Sequence, residues 1–327
     1  MLYDKYAKWW PVIRLRWMAS SLLMSFLRRC SLPLVRPTRI DWNPYLSPQT
    51  TQINGHTIFY IAKGEGKPLL LLHGYGAGIW VWEKQIEILS QTCRVYALDI
   101  IGHGFSDRPK IAYTAESYIY FLKDFMDGVG IERATLIGNS MGGGIAWAMA
   151  IFFPERVDRL ILINSVPPDV LDQVRNESFR KLVTIKNIPL LPYLLIAGRS
   201  KNSVKRILQE CVSDIKLITP EVLNRQHHLS KIKGSTWVLH STFKHAEGAF
   251  KFKDHLSRIH HPTLLLWGDR DLIFPTSVGE SLHRIIPSSK IQLIKRSGHI
   301  PMWETPEEVN QAILSFLRND LTPKAGS

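Results

Sequence analysis

Gly138-Asn139-Ser140-Met141-Gly142 is the stretch on which the reading of this chain turns. An apolar run, Ala134-Thr135-Leu136-Ile137, precedes it and a helix-like run, residues 143–150, follows, so the spacing predicts a sharp strand-to-helix turn. Such a turn strains the serine backbone and holds its hydroxyl exposed at the tip. The glycines two before and two after it keep the flanking segments from colliding. The same turn sets the Met141 amide at a helix N-terminus, free to donate to a developing oxyanion. A G-x-S-x-G match alone arises by chance in about one chain of this length in ten, so the surrounding sequence has to decide.

Upstream, Pro68-Leu69-Leu70-Leu71-Leu72 is a continuous apolar strand, the pattern of a sheet covered on both faces, and it ends at His73-Gly74-Tyr75-Gly76. Strands are expected at 94–98, 134–137, 159–163, 263–267 and 290–294, alternating with helices at 115–129, 143–153, 277–286 and 306–317. That alternation predicts an α/β chain with a mostly parallel central sheet and flanking helices. Residues 50–62 alternate in polarity around Asn54-Gly55, a hairpin signal, so the body opens on an antiparallel pair. Residues 167–258 break the rhythm. They are basic, rich in helix formers and lack a buried-strand pattern, and so read as a helical lid inserted between two strands of a core formed by 49–166 and 259–319. Pro33, Pro37, Pro44 and Pro48 mark a linker that closes an N-terminal arm, residues 1–48.

Composition narrows the function classes. With 327 residues, 45% hydrophobic and 10% aromatic, the chain is globular. Its three cysteines, Cys30, Cys93 and Cys211, form no C-x-x-C pair, which argues against a disulfide framework or zinc site and fits a reducing compartment. No H-E-x-x-H is present, and neither a metal nor a cofactor is expected. The net charge of +13 is unevenly placed: residues 1–45 carry 8 basic and 2 acidic residues, residues 169–258 carry 16 and 8, and the remainder 17 and 18. Two basic appendages on a neutral body suit an anionic surface. Nucleic acid is disfavoured, because no zinc finger, RNA-binding aromatic motif or basic heptad array is present.

Within the arm, residues 9–29 hold three tryptophans and four arginines on an imperfect amphipathic helix pattern. Only Trp17 to Leu27 is free of charge, 11 residues, short of the roughly 20 needed to span a bilayer. The stretch reads as an interfacial anchor. A signal peptide, a short spanning anchor and a helix packed on the body are the alternatives. The expected location is a membrane facing a reducing compartment, on the cytoplasmic side, with a soluble cytoplasmic protein as the alternative.

Five ordered segments now carry a family resemblance over roughly residues 50–318: Leu72-His73-Gly74-Tyr75-Gly76, the run Asp99 to Asp107, Gly138 to Gly142, Trp267-Gly268-Asp269-Arg270-Asp271 with Pro275, and Ser297-Gly298-His299. Together they resemble the α/β-hydrolase superfamily of serine hydrolases with a helical lid, including lipases, esterases and carbon–carbon bond hydrolases. The resemblance implies a nucleophile at Ser140, an acid at Asp271 and a base at His299, in the family's chain order. Asp269 is the nearer rival for the acid and Asp169 a more distant one. The resemblance also implies an oxyanion hole from the backbone amides of Tyr75 and Met141. His73 and Asp99 read as scaffold. Trp80, Trp82 and Trp303 flank these loops, and Trp80 and Trp303 are taken as candidate pocket walls.

A serine at the elbow excludes relatives that open epoxides or displace halide with an aspartate there. Hydrolysis of carboxylic esters with lipid-like or medium-chain acyl groups is the expectation, met at an anionic membrane through residues 9–29 and the basic lid. Carbon–carbon or amide hydrolysis by the same triad is the alternative. A non-catalytic binding protein is a remote one, since no triad residue is missing.

Overall fold

A computed structural model describes Pro33 and residues 46–318. The anchor expected at 9–29 lies outside the described residues. Eight strands form one sheet: β1 (Pro48–Ile53), β2 (His56–Lys63), β3 (Pro68–Leu72), β4 (Arg94–Leu98), β5 (Ala134–Asn139), β6 (Val157–Ile163), β7 (Thr263–Gly268) and β8 (Ser289–Ile294). Their spatial order is β1-β2-β4-β3-β5-β6-β7-β8. β4 to β8 run parallel with β3, whereas β1 and β2 form an antiparallel hairpin along one edge. Asn54 and Gly55 close that hairpin with φ of 50° and 78°, the left-handed pair a two-residue turn requires.

The leucine run of β3 shows why the sheet is buried on both faces. Successive side chains alternate, so Leu70 and Leu72 enter one core while Leu69 and Leu71 enter the other. Each fully buried leucine contributes about 2 kcal/mol relative to exposure. β6 and β7 repeat the division, with Leu160, Leu162 and Leu265 on the first face and Ile161, Ile163 and Leu266 on the second. The first face is covered by α2 (Ala115–Gly128), α3 (Met141–Phe152) and α10 (Thr276–Ile285). The second is covered by α1 (Glu83–Leu89) and α12 (Pro306–Arg318), with Trp80 and Trp82 wedged beside α1. The short helices α1 and α11 (Pro301–Glu304) were not expected from the sequence pattern.

Between β6 and β7 the chain leaves the sheet. It forms α4 (Val170–Gln173), α5 (Glu177–Thr184), α6 (Leu191–Ala197), α7 (Lys201–Cys211), α8 (Pro220–Lys231), α9 (Ser235–Lys244) and a 3-10 stretch, Ala246–Arg258. Local signals start these helices: the Ser200 hydroxyl accepts from the Ser203 amide at 3.2 Å, and Thr219 caps α8 with Pro220 in its first turn. Because β6 is parallel to its neighbours, the insert emerges at the same sheet edge as the loops after β5, β7 and β8.

Candidate active site

Ser140 joins β5 to α3 with φ 52° and ψ −118°, a conformation costly for a residue with a Cβ. The elbow glycines are needed sterically. A Cβ on Gly138 would lie 2.3 Å from the Gly142 carbonyl oxygen, and one on Gly142 would lie 2.1 Å from the Leu72 carbonyl oxygen. Close packing of β3 on the elbow brings the next loop in as well: a Cβ on Gly74 would sit 3.1 Å from the Ser140 Cβ. Tyr75 and Met141 therefore flank the serine, and the Met141 amide, first in its helix, has no intrahelical acceptor.

The loops after β7 and β8 supply the other two residues. His299 Nδ1 stands 2.9 Å from Asp271 Oδ2. A carboxylate there keeps the proton on Nδ1, which leaves Nε2 with a lone pair for an incoming proton. Asp271 is held from two further sides: Asn164 Nδ2 donates to Oδ2 at 2.7 Å, and the Ile273 amide donates to Oδ1 at 2.7 Å. Asp269 and Asp169 lie elsewhere. The first accepts from the Ser297 amide at 3.3 Å, and the second from Gln173 Nε2 at 3.0 Å.

Three residues that sequence reasoning passed over hold this arrangement. Asn164 follows β6 with φ 44°, fully buried, and its Oδ1 accepts from the Gly268 amide at 3.2 Å, which fixes the amide face turned to Asp271. Asn139 Nδ2 donates to the carbonyls of Ile163 at 3.0 Å and His299 at 2.9 Å, tying the histidine loop to the elbow. Glu304 accepts from the Gly298 amide through one oxygen and from the Ser213 and Asp214 amides through the other, each at 2.7 Å. Only the position of Asn139 beside Ser140 could have signalled any of them.

The two residues read as scaffold are indeed enclosed in packing. His73 accepts from the Ile100 amide through Nε2 at 3.1 Å, so Nδ1 carries the proton given to the Gly74 carbonyl at 2.8 Å. Burial pulls its pKa down to about 4. Asp99 receives the Ile79 and Phe105 amides at 2.8 Å each, and burial pushes its pKa up to about 7 despite them.

Ser140, Tyr75, Met141 and His299 line one cavity of about 540 Å³, within the range of small-molecule sites. Its walls come from the sheet edge and from the insert and are mostly apolar, with aliphatic Val81, Ile145, Leu182 and Ile207 beside aromatic Tyr118, Trp147, Phe179 and Phe274. Trp80 is part of the wall. Trp303, also expected there, is not: it stands behind Trp80, edge-on with ring centroids 5.5 Å apart, and packs on the second core instead. Trp82 is fully buried in that core. Among the described residues no group of three or more His, Cys, Asp or Glu is placed to hold a metal, and no helix is long and apolar enough to cross a membrane.

The family model of the alpha/beta hydrolase fold matches residues 67–306. The chain belongs to the alpha/beta hydrolase family. Among relatives of this alpha/beta hydrolase, epoxide hydrolase 3 of Xenopus tropicalis is 28% identical over 82% of this chain and 76% of its own. The 2-hydroxy-6-oxo-2,4-heptadienoate hydrolase of Pseudomonas putida is 28% identical over 72% of this chain and 83% of its own. Two solved structures are similar in fold and sequence. A mutant of the meta-cleavage product hydrolase CumD of Pseudomonas fluorescens IP01 has a TM-score of 0.70 at 26% identity, covering 83% of this chain and 98% of the other. A membrane phospholipase A described as a bacterial virulence factor has a TM-score of 0.68 at 27% identity, covering 97% and 96%. Relatives of this hydrolase thus span epoxide, carbon–carbon and phospholipid chemistry.

Proposed function

We propose that this alpha/beta hydrolase cleaves carboxylic esters of lipid-like or medium-chain acyl substrates through an acyl-enzyme on Ser140. The observation that carries the reading is an apolar cavity with a strained serine and a carboxylate-held histidine in its wall. His299 Nε2 takes the hydroxyl proton as Ser140 Oγ attacks the ester carbonyl, and the resulting oxyanion faces the Tyr75 and Met141 amides. Asp271 stabilises the imidazolium. Collapse expels the alcohol with the proton from His299, and water then releases the acid by the same steps in reverse roles. An acyl chain lies along the apolar walls, and the insert acts as a lid over it.

A serine at the elbow argues against the epoxide chemistry named for the Xenopus relative. The membrane phospholipase A supports the lipid side.

Carbon–carbon hydrolysis is the second reading. The Pseudomonas relatives favour it, as does Arg199, a buried guanidinium in the cavity wall with no carboxylate partner among the described residues. Its Nη atoms donate to the Ile196 and Ser230 carbonyls, but Nε has no partner, and an acidic substrate could use it. The experiment is labelling with a fluorophosphonate followed by rates on 4-nitrophenyl esters of increasing chain length and on a 2-hydroxy-6-oxo-dienoate. Labelling at Ser140 with preference for medium or long esters supports the proposal. Faster turnover of the dienoate selects the second reading, and normal turnover in Ser140→Ala overturns both.

A further inference from the structure

We propose that the outer face of α5, α6 and the loop joining them is a docking surface for an anionic bilayer, and that the substrate cavity opens onto it. The inference rests on the acyl-ester reading above and adds where such a substrate comes from.

The first observation is a cluster of exposed apolar side chains. Ile188, Leu190, Leu191 and Leu195 are 49%, 69%, 38% and 50% exposed, all within eight residues. Other large hydrophobics of comparable exposure, such as Ile111, Phe152 and Leu272, are separated along the chain, the ordinary pattern of a protein surface. Ile188 and Leu190 lie in an ordered turn that leads into α6, where Leu191 and Leu195 sit; in it the Ile188 amide donates to the Ile185 carbonyl and the Leu191 amide to the Ile188 carbonyl. Leu190, the most exposed, is held at φ 64°, a left-handed conformation that leucine rarely takes. That strain holds an apolar side chain out in water.

The second observation is charge. From Arg175 to Arg206 the chain has eight basic residues, of which Arg199 is buried and Lys186 pairs with Glu247, and one acidic, Glu177, which pairs with Lys181. Leu191 and Leu195, one helical turn apart, share a shallow depression with three basic residues, Arg175, Arg180 and Lys181, and one acidic, Glu177. Apolar tips beside a net-cationic flank match the boundary of an anionic bilayer, where phosphates lie a few ångströms above acyl chains.

The third observation links this face to the site. Nearly all residues lining the cavity are buried or half-buried. Among the described residues the exposed ones are Lys181, Leu195, Gly198 and Arg206, and all four belong to this same stretch. The cavity therefore reaches solvent between α5 and α7, with Lys181 and Leu195 shared by its rim and the shallow depression. Seated on a bilayer, that rim would receive an acyl chain directly from the lipid phase.

The test uses the full chain with phosphatidylglycerol vesicles and two substrates, soluble 4-nitrophenyl butyrate and vesicle-borne 4-nitrophenyl dodecanoate. Hydrogen–deuterium exchange should slow in peptides covering 185–195 when vesicles are added. Arg180→Glu and Leu190→Gly should each lower the vesicle-borne rate by about tenfold, the size expected for losing one or two surface contacts, while butyrate turnover is kept. Neither residue lines the cavity, and glycine suits the left-handed position, so loss of fold does not confound the second variant. Unchanged exchange at 185–195 on vesicles that hold the protein would overturn the proposal. So would full vesicle-borne rates in both variants, or a dimer in solution that Leu190→Gly dissociates, since the patch would then belong to a second copy. If the unsubstituted protein cleaves neither ester, the ester reading fails, and the exchange measurement still decides the docking surface.

Discussion

At the scale of single residues, the acid of the site is only as well placed as its second partner. Asn164 gives the Asp271 carboxyl a 2.7 Å hydrogen bond, and bonds to charged groups are each worth about 1.5 to 3 kcal/mol. Asn164→Ala should therefore lower kcat about ten- to a hundredfold with little change in KM. Asn164→Asp should be worse, because it replaces the donor to Asp271 with a second carboxylate that repels it. A kcat unchanged in both variants would remove Asn164 from the site. Ser140 was legible in the sequence because all the steric demands of its turn fall within five residues. Asn164 was not, since its partner is 107 positions away. Asp271 and Asp269 are two apart, and only the folded loop shows which one meets His299.

At the scale of elements, β3, β5, β6 and β7 were readable because burial on both faces demands unbroken apolar runs, which few other structures tolerate. The helices of the insert were readable only as a class. Their packing is set by long-range contacts, so the sequence could not say which residues face the cavity or that Trp303 turns away from it. With the walls known, chain-length preference becomes testable. Leu182 on α5 and Ile207 on α7 both line the cavity and are half-buried. Leu182→Trp and Ile207→Trp should shorten the preferred acyl chain. Dodecanoate kcat/KM is expected to fall by at least about tenfold, with butyrate nearly unaffected, as crowding in a packed wall costs about 1 to 3 kcal/mol. Equal losses on both esters would place the acyl chain elsewhere.

At the scale of the molecule, buried titratable groups set how stability answers to pH. His73 has a pKa near 4 against 6.5 in the unfolded chain, and His103, buried with Nε2 unpartnered, is likewise lowered by burial. Their contribution is present above pH 6.5 and is lost as pH falls toward 4, because the unfolded chain takes up protons the folded one refuses. Asp99 acts oppositely. Its pKa of about 7 against 3.8 means stability declines as pH rises from about 4 to 7. His103→Phe removes one histidine and leaves the rest, so its Tm should fall less between pH 6.5 and 4.5 than that of the unsubstituted protein. An identical fall would show that His103 does not titrate in that window. The fold as a whole also constrains how the site can move. Glu304 ties the Gly298 amide to the Ser213 and Asp214 amides, and the His299 amide donates to the Cys211 carbonyl at 2.8 Å. Glu304→Gln should speed exchange at 211–216 and lower kcat about ten- to a hundredfold on butyrate through misplacement of the histidine. Displacing the insert at 211–214 would strain these bonds to the loop after β8, so the positions of the insert and of His299 are linked. The loop that carries His299 and the insert share one brace, so a substitution that loosens the insert should loosen the site with it.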